Sequence, residues 1–355
     1  MAEEKQVIVQ TPVASASVAP DHGADLSIAT EIYVEQFRQS LQRRDLLGII
    51  EALRGAARVY RSRRLYDEAE DLTELRREIA DRNGLAAETA RAKLMLATLR
   101  HLRGDLKSAE TSYHEVLEAL RDAGDDEQIA STCKNLGIIA NIRGDLREAR
   151  SLYLESIGSA VRAGSASNTM MAYNNLGMVS ADLRDWMEAE VYFDRGIEIA
   201  DDLGDRAALT RLLANRAEPL IHTGELSQAL RTLGAAEALA LQINDIGTLA
   251  DVARFRAMIA RKEGDLNTAL QYVTDSLRLA SDVGLDLERA EALEERACLF
   301  DAEGRANEAF SALQEAQAGY QTLGAAGDAA RTREVLESWS SRMSSTASAL
   351  PEVMS

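Results

Sequence analysis

Cysteine is almost missing from this chain: Cys133 and Cys298 are the only two in 355 residues. They supply neither a disulfide framework nor a CxxC motif, and they read as reduced thiols of a cytoplasmic protein. Histidine is scarce too, with four. His22, His101, His114 and His222 form no HExxH zinc motif. His114 lies one turn from both Glu110 and Glu118, which is simplest as solvated charge pairing on a helix. No Gly-rich loop runs into a Lys, so no phosphate cradle is present. No catalytic constellation is left, and the chain reads as non-enzymatic, with no cofactor and no metal. A run of about 18 apolar residues is also missing, which excludes a membrane-spanning helix. The opening "MAEEKQVIVQ" has acids where a secretion signal carries bases. Lysine is rare: 5 of the 40 basic residues, the rest Arg, a bias that hints at a GC-rich, bacterial genome. A net charge of −18 argues against general nucleic-acid binding and against anionic membranes.

What the chain has is repetition. Alanine recurs every forty residues at Ala69, Ala109, Ala149, Ala189, Ala229, Ala269 and Ala309. An uninterrupted period of this length marks a stacked array whose function lies on the surface the stack creates. A small-residue column precedes the alanine by twelve: Ala57, Ala97, Gly137, Gly177, Ala217, Ala257 and Ala297. Fifteen residues after the alanine stand Gly84, Gly124, Gly164, Gly204, Asn244, Gly284 and Gly324, the pattern of a helix-ending left-handed position. Five before it, Gly104, Gly144, Gly224, Gly264 and Gly304 mark a second turn, with Arg64 and Arg184 as exceptions.

Each unit is therefore expected to be helix, turn, helix. In the second, helix A spans roughly Ala87 to Leu102 and helix B Leu106 to Ala123. Asp105, Asp145, Asp185 and Asp265 suit N-caps, and Glu148 and Glu188 would complete capping boxes with Asp145 and Asp185. Tyr113, Tyr153 and Phe193 are the bulky groups expected against the small column. Pro219 falls inside an A helix, where it should kink the helix and free a carbonyl.

The combination in Gly137, Gly144, Ala149 and Tyr153, and the stretch "NNLGMVSADLRDWMEAEVYFDRGIEIADDLGD" at 174–205, resembles the tetratricopeptide repeat, lengthened here from about 34 residues to forty. Repeats of this extended kind resemble those of kinesin light chains, spindle-orienting adaptors and bacterial regulators. The resemblance covers roughly residues 25–340. It implies an all-α fold, a right-handed superhelical solenoid of about seven full repeats (about 46–325) with a half-repeat at each end: residues 25–45 and a capping helix at about 329–343. Residues 1–24 and 344–355 read as disordered tails around one solenoid domain, 25–343.

The resemblance also implies that A helices line a concave groove, with repeat positions two, five, nine, twelve and thirteen inward and six nearby. This places Arg54, Arg58, Arg61, Arg91 and Lys134 inside, against Glu51. Arg54, Arg58 and Arg61 form one stripe on one helix. Arg211 and Arg254 follow in later repeats, while Glu291, Glu294 and Asp301 reverse the sign at the far end. Asn135, Asn175 and Asn215 occupy position six of successive repeats beside Asn174, and such amides can bond a peptide backbone without reading its side chains. The expected function is a scaffold or adaptor that captures an extended, acidic segment of a partner protein. A peptide-responsive bacterial signalling regulator and a self-assembling structural protein are the alternatives. The expected partner is protein or peptide, not nucleic acid or a membrane, and homo-oligomerisation stays open.

Overall fold

A computed structural model describes residues 24–348. Sixteen α-helices fill these residues: α1 (Ala24–Arg43), α2 (Leu46–Ser62), α3 (Tyr66–Arg82), α4 (Ala86–Leu102), α5 (Leu106–Ala123), α6 (Asp126–Arg143), α7 (Leu146–Arg162), α8 (Ala166–Asp182), α9 (Trp186–Leu203), α10 (Arg206–Thr223), α11 (Leu226–Ile243), α12 (Ile246–Glu263), α13 (Leu266–Asp282), α14 (Asp286–Ala302), α15 (Ala306–Leu323) and α16 (Ala326–Ser348). The pairs α2/α3 to α14/α15 are the seven repeats, and α1 and α16 are the half-repeats.

Turn chemistry sets the lengths. Every glycine of both turn columns has a positive φ, from 64° at Gly124 to 91° at Gly144, and Asn244 takes the same region at 56°. The two Arg exceptions adopt it as well, each at 61°. The geometry is therefore imposed by the repeat and tolerated by a side chain where glycine is missing.

Packing follows the columns. All seven periodic alanines are completely buried. A Cβ built on Gly137 would lie 2.6 Å from the Tyr153 ring, and one on Gly177 would lie 2.6 Å from the Phe193 ring. Those rings need a surface without a side chain. In the first half-repeat Tyr33 sits in the same way on Gly55. The core is a series of linked clusters rather than one centre. Phe193 and Leu212 join α8–α10, Leu233 and Phe255 join α10–α12, and Val273 and Leu299 join α12–α14.

Some local expectations fail. Asp105 and Asp265 cap α5 and α13 by accepting from the backbone N–H of Ser108 and Thr268, but Asp145 and Asp185 make no side-chain cap. The capping boxes do not form. Asp145 accepts from Arg143, and Glu148 also binds Arg143, at 2.6 Å. Glu188 binds Arg150 at 2.6 Å. A guanidinium outcompetes a backbone amide because its bond is charge-assisted at both ends. The C-terminal helix extends to Ser348, past the expected stop at 343, and α10 runs through Pro219 to Thr223. The expected tail 1–24 lies, but for Ala24, outside the described residues, as does the end of the chain after Ser348.

Contacts group the chain into two compact units, Met1–Asn135 and Leu136–Ser355, and the boundary falls inside α6.

Candidate partner-binding surface

In the first unit, α2, α4 and the start of α6 carry the expected cations. Arg54 pairs with Glu51 on its own helix, yet its Nε is buried without a hydrogen-bond partner. Arg58 is exposed and Arg61 half-buried. Among the described residues neither meets a carboxylate; the one contact Arg61 makes is to Met95 Sδ at 3.7 Å. Lys134 stands close to Arg61. Burial, and then that neighbour, lowers its ammonium pKa below the ordinary value. Arg91 differs: it binds Glu88 at 2.6 Å and Asp125 at 2.7 Å, so its charge is used within the fold. Asn135 donates to the Tyr113 hydroxyl at 3.1 Å, which in turn donates to Thr98 at 3.3 Å. Half of the Asn135 amide thus serves packing, and its carbonyl oxygen is left over. Burial pushes the Tyr113 phenol up to about 12, so it stays a neutral partner.

The second unit has a different character. Helices α8, α10, α12 and α14 touch in succession as its inner row. The turn after α6 and the start of α16 meet, so closely that a Cβ on Gly327 would stand 2.8 Å from the Gly144 Cα. Within the lumen so enclosed, carboxylates outnumber cations. Arg254 binds Asp251 at 3.2 Å and Glu291 at 2.9 Å. Arg331 binds Glu294 and Asp328, each at 3.0 Å, and Tyr320 also donates to Glu294 at 3.1 Å. Asp182 and Glu218 join this group, and among the described residues neither has a hydrogen-bond or ion-pair partner of its own. The Asp182 carboxyl is open to solvent yet crowded by protein. Enclosure first, then Glu218 and Asp328, pushes its pKa up to about 7 against the pull of Arg331. Enclosure likewise raises Glu218, Asp251 and Glu291, with Arg254 opposing in each case. Arg254 itself is held above its ordinary value; Glu291, Asp251 and Glu218 more than offset the cost of enclosing its charge. Arg254, expected as a groove cation, is thus neutralised in place, on a face where Glu291 and Glu294 were expected to reverse the sign. Arg211 is exposed, and among the described residues it has no ion-pair partner.

Asn174 proves to be the centre of an amide chain. Asn215 donates to Asn174 at 3.1 Å, and Asn174 donates to Asn175 at 3.4 Å and to Met178 Sδ at 3.6 Å. The chain ends in the unused Asn175 NH2 group and the unused Asn215 carbonyl oxygen. Asp182 and Glu218 were not singled out from sequence. The signal was available: Glu218 shares repeat position nine with Arg58, and Asp182 occupies inward position thirteen. His222 stacks on Trp186 at 4.0 Å. Burial, then Lys262 and Arg184, lowers its pKa to about 4, so it is neutral across the physiological range. Among the described residues no group of His, Cys, Asp and Glu could hold a metal ion, and no helix is long and apolar enough to cross a membrane.

Comparison with known proteins bears on the fold. A tetratricopeptide-repeat family model matches residues 88–160. BtubC (BKLC) from P. vanneervenii is 19% identical with a TM-score of 0.54, covering 62% of this chain and 93% of that one. A Rap protein solved with Competence and Sporulation Factor is 12% identical with a TM-score of 0.53, covering 91% and 99%. NprR, solved with its cognate peptide NprX, is 16% identical with a TM-score of 0.53, covering 64% and 66%. A comparison with curated proteins gives no match. With its paired helices, small-residue columns and left-handed turns, the chain has the all-α fold of a tetratricopeptide-repeat array, with repeats of forty residues, and residues 88–160 match that family's model.

Proposed function

We propose that the chain is a non-enzymatic scaffold that captures an extended, acidic segment of a partner protein on the inner face of its first unit. Arg54, Arg58, Arg61, Lys134 and Asn135 are the residues we assign to that capture. The observation that carries the reading is that Arg58 and Arg61 share one helix face and meet no carboxylate, in a protein of net charge −18. A cation left unpaired in so acidic a chain is available to an external carboxylate, which a guanidinium binds in bidentate fashion. The Asn135 carbonyl oxygen can accept from the main chain of the same segment. A cytoplasmic, bacterial setting accords with two cysteines that form no disulfide and with the Arg bias. A second reading, a peptide-responsive regulator, draws on the cognate peptide bound in the NprR structure and the Competence and Sporulation Factor bound in the Rap structure.

The test is affinity capture from lysate with the full chain and with the variant Arg54→Glu, Arg58→Glu, Arg61→Glu. The variant is expected to lose its partners while helicity and melting temperature stay unchanged. Capture at equal affinity and equal salt dependence would sink the proposal. Capture of short free peptides alone would favour the regulator.

A further inference from the structure

The lone helix α1 departs from the repeat on one face. Ile32 is 60% exposed, and Tyr33 and Gln36 are only half-buried. In the seven later B helices the residues of the Tyr33 and Gln36 columns are all buried, and those of the Ile32 column are buried or half-buried. Helix A of the same repeat provides that cover: Tyr153 of α7 lies on Gly137 of α6, and Phe193 of α9 on Gly177 of α8. Among the described residues α1 has no such helix before it, and Tyr33 leans on Gly55 of the following helix, α2. Gln36 brings an amide to this face, and among the described residues it makes no hydrogen bond. Subtracting forty from the bounds of α2 puts the equivalent of a helix A at residues 6–22. That window opens with Val7, Ile8 and Val9, three β-branched residues in a row that suit extended chain. It also holds Pro12, which lacks an N–H and clashes with the preceding turn, so a continuous helix is excluded.

We propose that the chain's own segment Gln6–Gln10 covers this face of α1 and completes the first repeat with an extended strap in place of a helix A. Alternate side chains of an extended chain share a side, so Val7 and Val9 stand about 6.6 Å apart. Ile32 and Gln36 are one turn apart, about 6 Å along the axis of α1. The two valines therefore match the length of the face, with Ile32 and Tyr33 as their apolar contacts. The main chain between them meets the Gln36 amide, which both donates and accepts. Reach is ample. Fifteen residues separate Val9 from Ala24, about 50 Å of extended chain, whereas Ile32 lies about 12 Å along α1. The strap uses none of the residues assigned to capture of an acidic segment, so it stands or falls independently of that reading.

Hydrogen–deuterium exchange compares the full-length protein with the full-length variant Val7→Ser, Ile8→Ser, Val9→Ser. Amides of α1 around Ile32 to Gln36 are expected to exchange on the order of tenfold or more faster in the variant, because an apolar cover over the helix is lost. Amides of α8 to α10 should be unchanged. A synthetic peptide of residues 1–14, added in excess, should restore the protection of α1 in the variant. The same peptide carrying the three serines should not, and Ile32→Ser in the protein should abolish the rescue. Light scattering across a concentration series follows the oligomeric state in parallel. Equal α1 exchange in wild type and in the serine variant would overturn the proposal. So would rescue by the serine peptide. Protection of α1 that persists in the variant and rises with protein concentration would also overturn it, and would give the face to a second copy of the chain.

Discussion

Ala149 shows how much a single position carries. It is fully buried beside Tyr153, Leu176 and Val179. Ala149→Leu should overpack that contact and lower stability by about 1–3 kcal/mol, measurable as a shift in urea midpoint without loss of helicity. Arg184 makes the opposite case. Its left-handed φ of 61° costs a residue with a Cβ about 1–2 kcal/mol, partly offset by the larger unfolded-state entropy of glycine. Arg184→Gly should therefore raise stability by about 1 kcal/mol or less; a melting temperature below wild type would show that the Arg side chain compensates. Both residues were legible from the forty-residue frame, because sterics at a Cα depend on neighbours whose positions the frame fixes.

At the scale of helices, the frame located nearly every boundary, but not how each end is satisfied. Asp145 and Asp265 occupy equivalent turns, and sequence treats them alike. Only Asp265 caps its helix, accepting from Thr268 N–H at 3.1 Å and from the Thr268 hydroxyl at 2.7 Å. Asp265→Ala should accordingly cost about 1 kcal/mol, and Asp145→Ala clearly less, in thermal unfolding of the two variants. The difference lies in Arg143, two residues before Asp145, which claims its carboxylate.

At the scale of the whole molecule, the carboxylate-rich lumen should make stability depend on pH. Asp182, Glu218, Asp251 and Glu291 hold their protons more tightly folded than unfolded. A carboxyl with a raised folded pKa favours the folded state below its unfolded pKa, and that contribution is lost as pH rises through the folded value, here about 7 for Asp182. The groups facing it are Glu218 on α10, Glu294 on α14, and Asp328 with Arg331 on α16, while Arg254 on α12 faces Glu218. The melting temperature should fall between about pH 5 and pH 8, and Asp182→Asn with Glu218→Gln should flatten that slope. An unchanged slope would mean that the dependence comes from surface self-repulsion instead.

The sequence by itself determined the repeat, the pairing of helices, the two left-handed turns and the aromatic-on-glycine packing, because each depends on residues within about forty positions of one another. It also set the expectation of an inner face that carries Arg58, Arg61 and the asparagines. Only the tertiary structure decided which inward charges are already answered. Arg91 and Arg254 look like Arg58 in the repeat frame, but Asp125 lies 34 residues from Arg91 and Glu291 37 residues from Arg254, each one helix pair away. Contacts between Asp182 and the α16 charges span almost four repeats and exist because the second unit brings Gly327 back to Gly144. Charge pairing is set by distance in space, and a one-dimensional frame does not contain that distance.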